Sequence, residues 1–443
     1  MTARIGDESR VRLGARAVRV VAIPMLAMVA HGASPLAADA TVVARALYEG
    51  AAAAGSIEVR LGGSNLAVPG SRFPCRSCHG RDGRGAREAG VAAPSIRPHA
   101  LTALRVTRPA YGADTFAVAL RDGRNPAGRT LDPGMPRYGL DDATAAALWE
   151  HLTEREALER RGVESALVHV GVDARADPAL LDALARAWEA QGASRPHGRA
   201  VRFETVRLGG TDPEVIAVLF GSVEAPASGA PALFPLAPVS EATSPDEVRS
   251  LFASREEQLR VLIAAAPADA VLVADGGTRP ALRRALADPG RPILGPESVD
   301  ALDRTVVVSA EPAVWADLAR RARPGTRLYA PVFDVAGQLG VLSNRGVHLV
   351  LADPTAPPGT PSGNTASRTR GMRDRLALAA VAVIEQALVA AGRDLTRGGL
   401  MRAVSDVRYD DPSWPGLDYR RDPVTGTRSV ALFRLAPEPS DQP

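Results

Sequence analysis

The sequence predicts a chain of two folded parts, a small helical unit followed by a larger α/β unit. Apolar residues at helical spacing near residues 142–152 indicate the first part. From residue 166 onward, short apolar runs alternate with helical patterns, which is typical of an α/β fold. Residues 154–164 are charged and have no strong apolar face, so we place the boundary there. The 443 residues are about three times the ~150 residues of a typical domain, which agrees with this division.

The predicted organisation has five segments. They are a signal peptide (1–40), an all-α domain (41–155), a linker (156–164), a two-lobed α/β domain (165–436) and a disordered tail (437–443).

The charge pattern argues against nucleic acid as a partner. The chain has no lysine, so all 53 basic residues are arginines, and the formal net charge is only +3. No arginine-rich face is interleaved with aromatic residues, as nucleic-acid recognition would require.

The N-terminus has the pattern of an export signal. Five arginines precede an apolar run at Val20–Ala30, and the small residues Ala38-Asp39-Ala40 follow it. That run is shorter than the ~20 residues needed to span a bilayer, so we expect a cleaved signal peptide and a periplasmic protein without a stable membrane span. An uncleaved anchor is an alternative, because Pro24 and His31 weaken the apolar run, and a buried N-terminal helix is another.

The first unit has three predicted helices. They are Val42–Tyr48, Asp114–Leu120 and a helix that begins at Asp141 or Asp142, either of which suits an N-cap. The apolar face of the last helix consists of Ala145, Leu148, Trp149 and Leu152. So short a chain has difficulty building a core from its own side chains, and we infer that an apolar component is missing from it.

The most informative stretch is Cys75-Arg76-Ser77-Cys78-His79. If it begins a helix, Cys75, Cys78 and His79 share one face, because residues three and four apart are neighbours on a helix. Two thiols and an imidazole in this order are the attachment signal for a c-type haem. A zinc site needs about four ligands, and the chain has no other cysteine pair. A redox dithiol and a plain disulfide are the remaining alternatives.

Met135 is the candidate for the second axial ligand of the iron. It is the only methionine between residues 29 and 371, and it lies in the non-helical stretch Asp132–Pro136. A thioether opposite an imidazole is a recurrent haem ligation. An ordinary core methionine is the alternative for this residue. His99 is a competing ligand, whereas we expect His151 to be a surface residue.

These residues resemble a class I mono-haem cytochrome c over residues 41–155. The resemblance is carried by Ala46–Tyr48, by Cys75–Gly80 with the following Asp82-Gly83-x-Gly85, and by Met135-Pro136 before Leu140–Asp142. It implies one covalent haem c, with its iron held by His79 and Met135.

The resemblance also implies two contacts within the domain. Tyr48 would meet Leu148 or Trp149, and the carbonyl of a proline, either Pro94 or Pro98, would accept the ring N–H of His79. A cluster of arginines beside the motif suggests either a docking rim for an acidic partner or a merely solvated surface; it consists of Arg76, Arg81, Arg84 and Arg87.

The second unit alternates predicted strands with helices. The strands are Ala166–Val172, Val201–Val206, Val215–Phe220, Ala270–Ala274, Thr305–Ser309, Leu328–Val332 and Val347–Ala352. The helices are Pro178–Ala190, Pro245–Ala266, Pro280–Ala287, Glu311–Arg321, Arg373–Ala391 and Arg397–Val404, the last capped by Asp394 or Thr396. Short, continuously apolar strands between helices indicate a mainly parallel sheet covered on both faces.

Residues 165–436 resemble the type 1 periplasmic binding proteins of the branched-chain amino-acid kind. The resemblance is carried by Ala377–Ala391 with the turn Gly392–Arg397, by Gly198–Val201, and by Ala270–Gly277. The Gly-rich loop that normally follows the first strand of that family is absent after Val170–Asp173. By position, the candidate ligand residues are Gly221, Ser222, Ser240, Asp275, Gly276 and Tyr329, each of which also suits a turn or a cap.

We expect a periplasmic cytochrome that transfers single electrons between a dehydrogenase and a terminal oxidase route. The alternative is a protein that binds or senses a small molecule and whose ligand state is coupled to the haem. We do not expect an enzyme, because a peroxidase needs an open iron position, and the usual di-haem form needs a second C-x-x-C-H motif, which the chain lacks.

Overall fold

The computed structural model describes residues 35–61, 66–88, 91–209, 213–221, 229–245, 248–298, 304–356, 365–412 and 414–436. The apolar run of the expected signal peptide and the expected tail lie outside these residues. Across the described ranges, no helix is both long enough and apolar enough to cross a membrane.

The N-terminal unit, residues 35–159, combines five helices with five short strands. The helices are α1 (Pro35–Glu49), α2 (Cys75–His79), α3 (Pro98–Thr102), α4 (Ala113–Asp122) and α5 (Asp142–Glu159). The strands are β1 (Glu58–Arg60), β2 (Ala67–Pro69), β3 (Ala86–Glu88), β4 (Val91–Ala93) and β5 (Arg137–Tyr138). They form an antiparallel sheet in the order β2-β1-β5 and a separate β3-β4 pair.

The expectation of an all-α domain is therefore wrong in part. Each of these strands has only two or three residues, which is too short for an alternating pattern to be recognised in the sequence. In β1 only the central Val59 is buried. The helices occur close to where the sequence predicts them, and Asp141 is the N-cap of α5, since its carboxylate accepts a hydrogen bond from the Thr144 N–H at 2.7 Å.

Helix α1 begins earlier than predicted and packs along α5. The expected cleavage site, Ala38–Ala40, lies within α1, and Ala40 is buried. At the crossing, the ring of Tyr48 makes an edge-on contact with His151, with centroids 5.6 Å apart. Of the two residues expected to meet Tyr48, Leu148 belongs to the same buried apolar cluster, and Trp149 contacts Phe116 of α4.

His151 is thus not the surface residue that we predicted. It is only 9% exposed, because it follows Leu148 by three residues and so lies on the same stripe of α5 that faces α1.

The C-terminal unit, residues 165–436, contains two five-stranded sheets. Its strands are β6 (Leu167–Asp173), β7 (Ala200–Val206), β8 (Val218–Leu219), β9 (Ala232–Leu233), β10 (Val248–Arg249), β11 (Val271–Ala274), β12 (Thr305–Ser309), β13 (Arg327–Pro331), β14 (His348–Asp353), β15 (Arg408–Tyr409), β16 (Leu417–Asp418) and β17 (Ala431–Leu435). Its helices are α6 (Pro178–Ala190), α7 (Arg255–Ala265), α8 (Arg279–Ala285), α9 (Pro312–Arg321), α10 (Val332–Val335), α11 (Leu339–Asn344), α12 (Thr365–Ala391) and α13 (Arg397–Val404).

The sheets give the unit two lobes. The first sheet has the order β10-β9-β8-β6-β7 and is parallel. The second has the order β11-β12-β13-β14-β17, in which only β17 is antiparallel to its neighbour. The predicted mainly parallel architecture is confirmed. Helices α6, α12 and α13 share one apolar core with the first sheet.

One predicted helix begins later than expected. The sequence predicts a helix over Pro245–Ala266, but β10 (Val248–Arg249) lies in this range, and α7 begins only at Arg255. Ser254 caps α7 by accepting the Glu257 N–H at 3.0 Å. The hydrogen bond to the Ser254 hydroxyl competes with continuation of the helix on its N-terminal side. The sequence pattern did not indicate this cap.

Helix α5 extends through part of the expected linker. It ends at Glu159, and its last turns carry Glu156 and Glu159, which both contact residues outside the helix. The two units nevertheless keep separate apolar cores, since the cluster around Tyr48 contains only residues of the N-terminal unit.

Candidate cofactor-binding site

The N-terminal unit encloses a cavity of about 400 Å³ lined mainly by apolar side chains. This volume falls within the ~300–1,000 Å³ of typical small-molecule and cofactor sites. The lining includes Cys75, Cys78 and His79 of α2 together with Pro94 and Met135. Its apolar wall consists of Phe73, Ile96, Phe116, Leu120, Tyr138, Leu148 and Leu152. The chain thus leaves an apolar space where the sequence predicts a missing core component.

The C-x-x-C-H motif forms the single helical turn α2, as predicted. Pro74 is its N-cap, and Gly80 ends the turn at φ +79°, a conformation that favours glycine. Cys75 is buried and Cys78 is exposed, and the two thiols are not joined in a disulfide. Burial raises the pKa of Cys75 to about 12, so this thiol is neutral at physiological pH.

The ring of His79 has a fixed tautomer. Its Nδ1 lies 2.7 Å from the carbonyl oxygen of Pro94, and a carbonyl only accepts hydrogen bonds, so Nδ1 must carry the proton. The Nε2 atom therefore keeps its lone pair. Burial lowers the pKa of His79, and the hydrogen bond to Pro94 opposes that shift only in part. The result is a neutral imidazole with a free Nε2 lone pair, which is the form that binds a metal ion.

Pro94 is the acceptor, and its alternative Pro98 instead occupies the start of α3. The loop that follows His79 packs directly against the Pro94 segment. Gly85 donates its N–H to the His79 carbonyl at 2.7 Å and has φ +92°. A Cβ atom on Gly85 would lie 2.3 Å from the Ala93 carbonyl oxygen, so only glycine allows this approach.

Met135 reaches the cavity from a loop that β5 anchors. The N–H of Met135 donates to the Asp132 carbonyl at 3.0 Å, and its own carbonyl accepts from the Arg137 guanidinium. Tyr138 of β5 donates its hydroxyl to the Phe73 carbonyl, just before α2. The structure therefore brings the Met135 loop and the cysteine motif to one cavity, although 56 residues separate His79 from Met135 (135 minus 79).

The competing ligands do not line this cavity. The ring of His99 pairs with the Glu156 carboxylate, and His151 packs on Tyr48. Within the described ranges, no three His, Cys, Asp or Glu side chains come together as they would in a zinc site. His79 and Met135 thus line the cavity, and neither His99 nor His151 is part of its lining.

The sequence analysis missed a buried ion-pair network beside the motif. Arg97 is 2% exposed and donates from Nε to the Asp82 carbonyl at 2.8 Å and from Nη2 to the Asp82 carboxylate. Asp82 also accepts from the Nη2 of Arg402, a residue of α13, at 2.6 Å. Burial raises the pKa of Asp82, but the hydrogen bond from Arg402 and the charges of Arg97 and Arg402 outweigh it and leave that pKa below its usual value.

The same network ties the two units together. The Nη1 of Arg97 donates to the carboxylate of Asp394 at 2.8 Å, and its Nη2 donates to the hydroxyl of Thr396 at 3.0 Å. Arg160 also donates to Asp394, at 3.1 Å, and the N–H of Gly398 donates to the Glu159 carboxylate at 2.8 Å. No local sequence signal identifies such a network, because its members are nearly 300 residues apart in the chain.

The arginines near the motif are only partly available as a docking rim. Arg76 forms an ion pair with Glu49 at 2.6 Å, and Arg155 binds the same carboxylate at 2.8 Å. Arg81 and Arg84 are exposed. The side chain of Arg87 lies outside the described part of the structure.

Three of the six candidate ligand residues of the C-terminal unit have structural roles. Ser240 donates to Glu256 at 2.7 Å, and Asp275 accepts from the N–H and the hydroxyl of Thr278 at the start of α8. Tyr329 is buried in the core of the second lobe. Gly221 is buried and Gly276 is exposed, while Ser222 lies outside the described residues. The alternative interpretation as turn or cap residues agrees with the contacts of Ser240 and Asp275, whereas Tyr329 is a core residue.

Another cavity, of about 630 Å³, lies at the carboxyl end of β11. Its lining includes the charged residues Asp275, Arg279, Glu297, Asp317 and Arg321. The guanidinium of Arg279 donates to the Ile293 and Ala274 carbonyls.

Comparison with known proteins yields matches among solved structures. No protein-family model matches the chain, and no curated protein matches it. The chain is similar to a substrate-binding periplasmic protein from Ralstonia solanacearum, with 15% identity and a TM-score of 0.44, over 60% of this chain and 96% of that one.

Two further solved structures are similar at 14% identity. One is an ABC transporter solute-binding protein of R. palustris in complex with benzoate, with a TM-score of 0.39, over 57% of this chain and 89% of that one. The other is an ABC transporter substrate-binding protein of Desulfitobacterium hafniense in complex with Leu, with a TM-score of 0.40, over 60% of this chain and 97% of that one.

Proposed function

We propose that the chain is an exported electron carrier that binds one haem covalently through Cys75 and Cys78, with His79 and Met135 as the iron ligands. One observation carries this proposal: the apolar cavity collects both thiols, an imidazole whose Nδ1 is bound to Pro94, and a loop methionine. A zinc site, a redox dithiol or a disulfide would each use only some of these groups.

The chain's own residues have distinct tasks in this proposal. Cys75 and Cys78 would hold a haem by addition of each S–H across one vinyl C=C, a reaction that needs no oxidant. Pro94 fixes the tautomer of the His79 ring and leaves the Nε2 lone pair free. Phe116, Leu148 and the other apolar wall residues exclude water from the site. The haem, when bound, supplies a one-electron couple between ferric and ferrous iron.

Two protein ligands would suit electron transfer rather than catalysis. With His79 and Met135 both bound, the iron would have no position left for peroxide, and a thioether ligand would raise the reduction potential. A raised potential suits a carrier that accepts electrons from a periplasmic dehydrogenase and passes them to a terminal oxidase route. We therefore propose no catalytic residue in this chain.

Potentiometric titration of the full chain, produced in a periplasm that attaches haem, tests this function. The expected result is a single reversible one-electron transition with the low-spin spectrum of a six-coordinate haem. A protein that carries haem but shows a high-spin, five-coordinate spectrum would contradict the electron-carrier proposal. A protein without a reducible centre would contradict it entirely.

Solute binding by the C-terminal unit is the second candidate function. It is supported by the charged cavity at the carboxyl end of β11, because α/β sheets bind ligands outside the carboxyl ends of their strands. Leucine and benzoate, which two similar proteins hold, are suitable probes. A rise in the melting temperature with either probe, lost in Asp275→Ala but kept in the exposed Asp410→Ala control, would support this function. No rise with either probe would argue against binding of these two classes of solute.

A further inference from the structure

We infer that the C-terminal unit helps to set the reduction potential of the iron site. Three of its residues act as positioning residues for the hydrogen bond between His79 and Pro94. They are Asp394, Thr396 and Arg402. This inference rests on the proposed haem function. It assigns to residues of the second unit a role in setting the reduction potential of a centre bound in the first.

The first step is that Arg97 clamps two loops together. One loop follows His79 and contains Asp82, and the other carries Pro94 and ends at Arg97. Arg97 donates to both the carbonyl and the carboxylate of Asp82. The N–H of Ile96 also donates to the Gly83 carbonyl at 2.8 Å. The His79–Pro94 hydrogen bond thus connects two segments, and Arg97 holds these segments at a fixed separation.

The second step is that residues of the C-terminal unit hold Arg97 and Asp82. Arg97 is buried, and its guanidinium donates four hydrogen bonds, two of which go to Asp394 and Thr396. Asp82 is likewise buried, and Arg402 provides its second positive neighbour. The side chains of Asp394 and Arg402 are 34% and 50% exposed, but the groups that they hold, Arg97 and Asp82, are buried. Loss of either partner leaves a buried charge with one fewer counter-charge, so we expect that charge to shift.

The third step links this geometry to the iron. The hydrogen bond from the second ring nitrogen of a ligating histidine orients the ring and raises its basicity. A more basic imidazole stabilises ferric iron, which has the higher charge. A looser His79–Pro94 bond therefore raises the reduction potential, and a tighter one lowers it.

Helix α13 is placed to transmit a displacement within the C-terminal unit to Arg97 and Asp82. Thr396 caps α13, and its hydroxyl accepts the Gly399 N–H at 3.0 Å. Arg402 lies on the same helix. One residue before Arg402, the Met401 carbonyl accepts a hydrogen bond from the guanidinium of Arg249, at the end of β10. A displacement of α13 by the first lobe would therefore move the partners of both Arg97 and Asp82.

The experiment compares reduction potentials of the full, haem-loaded chain. Arg402→Ala and Asp394→Asn are each expected to raise the midpoint potential. The double variant is expected to change the ferric-to-ferrous equilibrium constant about tenfold, which is ~59 mV for a one-electron couple. Arg420→Ala is the matched control, because Arg420 is an exposed arginine of the same unit. Its potential should equal that of the wild type.

Rescue and exchange measurements separate positioning from loss of fold. Arg402→Lys keeps a positive donor near Asp82 and should restore most of the wild-type midpoint potential. If Arg402→Ala does not fold, Arg402→Gln takes its place. In the haem-free chain, the backbone amides of residues 80–97 should exchange faster in Arg402→Ala than in Arg420→Ala.

The outcomes distinguish this inference from the proposed function. If haem is attached but the potentials of Arg402→Ala and Asp394→Asn equal that of Arg420→Ala, the inference is wrong and the proposed function stands. If the wild type attaches no haem, the proposed function is wrong, and the inference about the reduction potential is wrong as well. In that case, exchange rates at residues 80–97 still show whether Arg402 holds the two loops.

Discussion

The Nδ1 atom of His79 and the carbonyl oxygen of Pro94 are 2.7 Å apart and join two loops that lie fifteen residues apart in the chain. This one hydrogen bond fixes the tautomer of the ring and leaves Nε2 available to a metal. The other features of the site support that arrangement: Gly85 allows the loops to approach, Arg97 clamps them, and the apolar cavity surrounds the ring.

Replacing Met135 should open one axial position of the bound haem. We expect Met135→Ala to bind carbon monoxide rapidly in the ferrous state, whereas the wild type does not, because its thioether blocks the position. Met372→Leu, which alters a methionine of α12 that does not line the cavity, is the control and should behave as the wild type. Rapid binding by the wild type would show that Met135 is not a ligand.

Gly85→Ala should disrupt the site far more than Gly128→Ala. Both residues have positive φ, +92° and +76°, so both substitutions carry a backbone strain of about 1–2 kcal/mol. Only at Gly85 would the new Cβ meet another atom, the Ala93 carbonyl oxygen at 2.3 Å, whereas Gly128 has open space around it. Urea unfolding and haem content measure the difference. Equal losses in the two variants would contradict the packing described at Gly85.

The stabilising effect of Asp82 should depend on pH. Its pKa in the folded chain is below the ordinary value of 3.8, so the unfolded chain binds more protons as the pH falls and the folded chain loses stability there. At pH 7, Asp82→Asn should cost about 3–5 kcal/mol in the free energy of unfolding, as expected for a broken buried pair.

The cost of Asp82→Asn should then shrink as the pH falls below about 4, near the ordinary carboxyl pKa. Urea unfolding of both proteins at pH 7 and at pH 3.5 measures this. A cost that is the same at both values would mean that the charge of Asp82 does not contribute to stability.

The His151 ring should make the N-terminal unit sensitive to mild acid. Burial, followed by the nearby charges of Arg155 and Arg45, lowers the pKa of His151 below 6.5. The unfolded chain therefore takes up this proton first, and stability that is present above pH 6.5 is lost as the pH falls.

A phenylalanine at position 151 keeps an aromatic contact with Tyr48 but cannot titrate. We expect the stability of the haem-loaded His151→Phe protein to vary less between pH 7 and pH 5 than that of the wild type. Thermal melting across this range gives the comparison, and parallel curves for the two proteins would contradict the account.

Much of the architecture follows from local sequence patterns. Helix α6 spans the predicted Pro178–Ala190, and β12 spans the predicted Thr305–Ser309. Both are long enough for periodicity to show, and proline or polar residues mark their ends. The strands β9 and β10 were missed because two residues cannot show a period, and they form only by pairing with their neighbours.

The site was predictable where chemistry is local in the sequence and not elsewhere. The cysteine motif and its histidine lie within one helical turn, so their spacing alone predicts a shared face. The Arg97–Asp394 contact joins residues 297 positions apart, and only the tertiary fold brings them together. His151 was mistaken for a surface residue because a polar side chain directly after Glu150 gives no sign in the sequence that α1 covers it.

Intact-mass spectrometry of the denatured full chain, after production in a periplasm that attaches haem, tests the central claim most directly. The account predicts a mass gain of one haem per chain that survives denaturation and disappears when Cys75 and Cys78 are both replaced by alanine. A wild-type chain that carries no added haem, with both thiols free to react with an alkylating reagent, would contradict it.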